Sequence, residues 1–209
     1  MNTKITFCAL LLCISIGGGC GAARPSKYYQ LTVPVDAAPP TGSNPYAVTL
    51  MLGPITSSHL YREDHIVYTG SGQDMGVYQY QRWAQPPTEM IGEVLLRDLR
   101  ASNRFQAVYS WGSNVRGDYI LRGRLYDFRE ISVTTLMGRV TFELELRNAR
   151  SGATVWTYFY THDEPVAGKE VTAVVAALDQ NVQRGVAGFR ASLDQYFSAH
   201  PELSTPPSQ

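Results

Sequence analysis

Apolar and polar positions alternate most regularly between Val140 and Arg147, where Val140, Phe142, Leu144 and Leu146 are interleaved with Thr141, Glu143, Glu145 and Arg147. A period of two places the first set on one side of a β-strand and the second on the other, so one side meets core and the other meets water. Asn148-Ala149-Arg150-Ser151-Gly152 supplies turn residues, and Thr154 to His162 (TVWTYFYTH) is β-branched and aromatic, which predicts an antiparallel hairpin. From Gly168 the period changes. Val171, Val174, Val175, Leu178, Val182, Val186, Phe189, Leu193 and Phe197 recur at spacings of three and four, the stripe of an amphipathic helix of about eight turns. A second helix is predicted from Pro86-Pro87 to near Asn103. Proline fits a first helical turn, Glu89 and Glu93 place negative charge near its positive end, and Ile91, Val94, Leu95 and Leu99 form its buried stripe, with Asp98 left out of it.

Shorter strands are predicted at Tyr28 to Val33, at Ala47 to Leu52 before Gly53-Pro54, at Leu60 to Arg62, at Ile66 to Tyr68 and at Val77 to Trp83, the last two around the turn glycines Gly70, Gly72 and Gly76. Phe105 to Trp111 and Tyr119 to Phe128 follow the first helix as further strands. This order of strands, helix, strands, helix, joined by hairpins, predicts an α+β fold: a mostly antiparallel sheet with two amphipathic helices packed on one face. Trp156, Tyr158 and Tyr160 share a side opposite Val155, Thr157 and Phe159, and a sheet covered on one face only is expected to leave some of these aromatics exposed as a candidate interface.

The first twenty residues give the compartment. Lys4, an apolar run from Ile5 to Ile16 and the small residues Gly17-Gly18-Gly19 have the layout of a secretory signal peptide. All three cysteines lie in this leader, so nothing after Cys20 can form an internal disulfide. A lone cysteine after a small-residue cleavage site is what a bacterial lipobox looks like, although Gly17 stands where such boxes usually carry Leu. An ordinary leader cut near Ala22 or Ala23 is the alternative. The expected organisation is a signal peptide over 1–19, a lipidated tether over 20–27, one domain over 28–198 and a flexible tail over 199–209. Gly21 after Cys20, in place of an inner-membrane retention Asp, makes the outer membrane the expected destination. Eighteen basic and eighteen acidic residues cancel without a basic stripe, which argues against a nucleic-acid partner.

Catalytic candidates are thin. The four histidines are scattered, and His162-Asp163-Glu164 lacks the paired histidines one helical turn apart that bind zinc in HExxH enzymes. Gly70 to Gly76 has glycine density without a phosphate-loop pattern, and no G-x-S-x-G elbow is present. Asp118, Asp127 and Glu130 read as strand-end acids before they read as an acid/base pair. No catalytic residue, cofactor or metal is expected. Tyr78, Tyr80 and Trp83 have two readings: a contact surface for a partner or acyl chain, or packing between strand and helix.

Tyr28-Tyr29-Gln30-Leu31 soon after a lipobox, Ile66-Val67-Tyr68, and Tyr78-x-Tyr80-x-x-Trp83-Ala84-x-Pro86-Pro87 opening a helix together resemble the auxiliary lipoproteins of ABC-type transport systems, the PqiC-like family. Asp118-Tyr119-x-Leu121 and the closing helix with Phe189 resemble it too, so the similarity spans Tyr28 to Phe197. The resemblance implies an outer-membrane lipoprotein that works with a mammalian-cell-entry (MCE) domain protein in lipid transport across the periplasm. It implies an adaptor or docking ring, hence a homo-oligomer, with lipid as a possible ligand and no catalytic residues. The alternative class is a structural envelope lipoprotein without lipid cargo.

Overall fold

The computed structural model describes residues 24–33, 46–70, 74–132 and 134–204. In chain order it contains strands β1 (Lys27–Tyr29), β2 (Tyr46–Ser57), β3 (His65–Thr69) and β4 (Met75–Trp83), helix α1 (Pro87–Ser102), strands β5 (Phe105–Ser110), β6 (Tyr119–Ser132), β7 (Leu136–Asn148) and β8 (Thr154–Pro165), and helix α2 (Val171–Ala199). Short 3-10 turns occupy His59–Tyr61 and Pro201–Ser204. The fold is α+β.

Strand β6 organises the sheet. It pairs antiparallel with β7 along its whole length, and β7 pairs antiparallel with β8. The opposite edge of β6 is shared, with Tyr119 to Leu125 taking β2 as a parallel partner and Arg129 to Ile131 taking β3. A register shift between Leu125 and Asp127 lies at this fork. One arm continues from β2 to a parallel β5, the other from β3 to an antiparallel β4 and then to a parallel β1. The long ladders are the antiparallel hairpins that alternation predicts. The parallel pairing of β2 with β5 requires a crossover, and β3, β4 and α1 lie between them in the chain.

Both helices pack on one face, α1 over β2 and β5, α2 over β7 and β8. Val94, Leu95 and Leu99 of α1 and Leu178, Val182 and Phe189 of α2 are buried against Leu50, Leu121, Phe142 and Leu144. The approach is close at Gly185, where a Cβ would stand 2.8 Å from the Tyr160 ring and 2.9 Å from that of Phe142. At the far end Phe197 gathers Tyr46, Phe105, Tyr119 and Tyr196 around its ring, an aromatic cluster joining α2 to three strands.

Several local elements differ from expectation. Strand β2 runs through Gly53-Pro54 to Ser57, and a register shift between Leu52 and Ile55 accommodates the proline, which has no amide to give a regular ladder. His59–Tyr61 is a turn that buries Tyr61, not a strand. Asp98, expected outside the buried stripe of α1, is only 8% exposed, because Arg190 of α2 reaches it at 2.6 Å across the helix seam. The first strand is short, since after Tyr29 the chain leaves the sheet edge: Leu31 is buried and Thr32 bonds Asp179 of α2 through both its amide and its hydroxyl. Ala199, where the tail was expected to begin, still belongs to α2. Leu203 in the following turn packs on the core, and its carbonyl accepts the Tyr119 hydroxyl at 3.4 Å.

Candidate functional site

Cys20 and the leader lie outside the described residues. Four residues beyond Cys20, the Arg24 guanidinium stands over the Tyr80 ring at 5.6 Å. Tyr78 donates its hydroxyl to Glu130 at 2.7 Å, and burial together with that carboxylate pushes its own ionisation well above the usual tyrosine range. Trp83 is fully buried against Phe128. Of these three, Trp83 is core, while Tyr78 and Tyr80 are half-buried at the β4 edge.

Trp156, Tyr158 and Tyr160 are on the helix side of β8, not on the uncovered side where they were expected. Trp156 packs on Phe189 and Tyr196, the Tyr158 hydroxyl donates to the Gly185 carbonyl, and the Tyr160 hydroxyl donates to Asn181. Burial pushes the Tyr160 hydroxyl up to about 12. Alternation fixes which residues share a side of a strand, but the helices decide which side is covered. They cover the one with three aromatics, because α2 supplies small residues at Gly185 and Gly188 where the rings must fit.

The uncovered face therefore belongs to the other row. Phe159 stands 61% exposed between Thr157 and Thr161, and its ring contacts that of Tyr126 on β6. Around this pair runs a charge ladder. Arg124 lies opposite Glu143 and Arg122 opposite Glu145, Tyr126 donates to Glu143 at 2.8 Å, and Arg139 grips Asp163 through two bonds of 2.7 Å. The Arg139 guanidinium holds the Asp163 carboxyl below the usual carboxylate range. Three of the shallow depressions among the described residues line this face. The one nearest the aromatic pair, about 250 Å³, is bordered by Thr56, Arg122, Arg124, Tyr126 and Glu145. The other two meet at Trp111, which is 62% exposed at the end of β5: about 500 Å³ on one side, over Met51 and Ile120, and about 280 Å³ on the other, over Pro54 and Ile120.

The acids weighed for chemistry are held by structural partners. Asp118 accepts the Thr49 amide at 2.8 Å, Asp127 pairs with Arg129 at 3.0 Å, and Glu130 takes the Tyr78 proton donor. Glu164 faces both Arg184 and His162. Such an arrangement suits recognition through a broad polar and aromatic surface. Trp111 and Phe159 were not singled out from the sequence. The available signal was Phe159 set between Thr157 and Thr161, in the row that alternation turns away from Trp156, Tyr158 and Tyr160.

The same chain architecture is found in solved structures. A crystal structure of a Xanthomonas campestris protein of the DUF330 family superposes with a TM-score of 0.68 at 19% identity, covering 78% of this chain and 92% of that one. A second crystal structure, of an uncharacterized protein, gives 0.64 at 13% identity over 81% and 99% of the two chains. A Chlamydia trachomatis hypothetical protein gives 0.53 at 8% identity over 74% and 99%. At these identities the likeness is one of fold. Among curated proteins none matches. Residues 29–187, most of the folded domain, match the family model described as the ABC-type transport auxiliary lipoprotein component, and the chain belongs to that family.

Proposed function

We propose that this auxiliary lipoprotein is anchored in the outer membrane through an acylated Cys20, faces the periplasm, and serves as a non-catalytic adaptor for an MCE-domain protein of an ABC lipid transport system. The observation that carries the reading is the uncovered sheet face. It combines an exposed aromatic pair with oppositely charged residues in facing register, an aromatic and polar mix suited to a protein-binding surface. Membership of a transport auxiliary family supplies the context. Two or three acyl chains on Cys20, at about 0.8 kcal/mol per buried CH₂, give stable attachment, so the domain works close to a membrane. An adaptor for a symmetric partner is expected to act as a ring of copies.

The test is crosslinking in intact cells, affinity purification of the full chain, and mass spectrometry of the N-terminal peptide and of the captured partners. The expected result is an acylated Cys20 with an MCE-domain protein crosslinked, and loss of that crosslink in Phe159→Asp. An unmodified N-terminus near Ala22 removes the anchor. Capture of other envelope proteins without an MCE-domain protein favours the structural envelope role instead.

A further inference from the structure

The Trp111 side chain stands outside the core and divides a groove at the end of β5. Its indole is 62% exposed, and Val115 in the same loop is 41% exposed. The two basins on either side share Trp111, Ile120 and Ala149, so they form one groove with an indole standing in its middle. Met51, Pro54 and Ile120 make its floor apolar. Its rim is basic: Arg116 and Arg150 border the larger basin, Arg122 and Arg147 the smaller. Among the described residues, Asp118 is the one carboxylate bordering either basin, and it is committed to the Thr49 amide.

We infer that this groove binds an anionic phospholipid, its phosphate taken by the guanidinium rim and its proximal acyl carbons laid along the Ile120 floor beside Trp111. Guanidinium groups match phosphate oxygens through paired N–H donors, and an indole with an apolar body and a polar tip suits the junction of head and chain. Charge complementarity selects an anion, and the apolar floor selects one with a hydrocarbon body. An acidic peptide shares that charge, but a peptide also brings backbone donors and acceptors that need partners. The amides at the base of the groove are already committed, Trp111 to Leu52, Asp118 to Thr49 and Ala149 to Asp118. The inference rests on the lipid-transport reading above and adds to it a site and a ligand class.

The full acylated chain in nonionic detergent provides the test. Trp83 is fully buried and Trp156 is packed on Phe189, so a change in tryptophan emission on adding a short-chain lipid reports Trp111. Dioctanoyl phosphatidylglycerol is expected to give a saturable blue shift with at least about tenfold tighter binding than dioctanoyl phosphatidylcholine. The shift disappears in Trp111→Phe, and the preference for the anionic lipid is lost in the double variant Arg116→Gln, Arg150→Gln, with the melting temperature of each variant measured alongside to confirm that it is folded. An equal response to both lipids, or full preference in the double variant, overturns the inference. So does inorganic phosphate competing at the same concentration as the lipid, which makes it a plain anion site. Tighter binding of an acidic amphipathic peptide than of the lipid makes it a peptide groove and overturns it equally. The same preparation retains or loses the crosslinked MCE partner independently, so failure of the groove and failure of the adaptor role read out separately.

Discussion

The covered and open faces of the sheet carry the same kinds of residue and hold them in opposite ways. On the covered face the tyrosine hydroxyls are handed to α2, through Gly185 and Asn181, and burial against the helix seam pushes the Asp98 carboxyl above its usual range despite Arg190. On the open face Phe159 is left in solvent, and Asp163 is held below its usual range by a bidentate arginine. Aromatic content alone therefore does not mark an interface. What separates the faces is whether a second layer desolvates the side chains, which raises an acid, or leaves them wet beside an opposite charge, which lowers it.

The contrast can be broken most strongly from the covered side. Phe189→Ala removes a buried ring that contacts Trp156 and Tyr158, and it is expected to cost about 3–5 kcal/mol in urea unfolding. Asn181→Ala comes next. The fully buried Asn181 amide donates to the Gly138 and His162 carbonyls, each at 2.8 Å, while its oxygen accepts Tyr160. Leaving these groups without partners is expected to cost about 1–3 kcal/mol in the same assay.

The two acids give a sharper test, because their pH dependences run in opposite directions. The folded state holds the Asp98 proton more tightly than the unfolded chain does, so its stabilising contribution is present at low pH and is lost as pH rises through and beyond the ordinary carboxylate range. Asp163 contributes above that range and loses its contribution as pH falls below it. Unfolding midpoints measured against pH should flatten on the rising side in Asp98→Asn and on the acid side in Asp163→Asn. At neutral pH the Asp163 variant is expected to lose no more than about 1 kcal/mol, since both partners are partly exposed. The smallest effect on stability is predicted for Phe159→Ser, within about 0.5 kcal/mol by thermal melting, although it removes an aromatic that is 61% exposed on the open face.

Much of the fold is legible in local pattern. The Val140 to Arg147 alternation, the turn at 148–152, where Gly152 takes a φ of +71°, and the spacing along α2 each required only neighbouring residues to interpret. Asn103 closing α1 in the left-handed region was readable for the same reason. The candidate site was less legible. Trp111 ends a strand in a loop whose neighbours across the groove, Ile120, Arg147 and Arg150, come from other parts of the chain. Nothing in the local spacing of that loop announces a groove.

The sequence by itself determined the fold class, the two helices, the long hairpin and, within regular runs such as Val140 to Arg147, the row to which each side chain belongs, because these follow from periodicity and local conformational preference. The family resemblance was likewise carried by short segments that can be read in order. Only the tertiary structure decided which row of β8 the helices cover, that Asp98 is drawn into the helix seam, and that β6 forks to pair with both β2 and β3. Those choices depend on volume and desolvation between residues far apart in the chain. At Gly185 and Gly188 the absence of side chains on α2 makes room for the tyrosine row, which leaves the opposite row, with Phe159, on the open face.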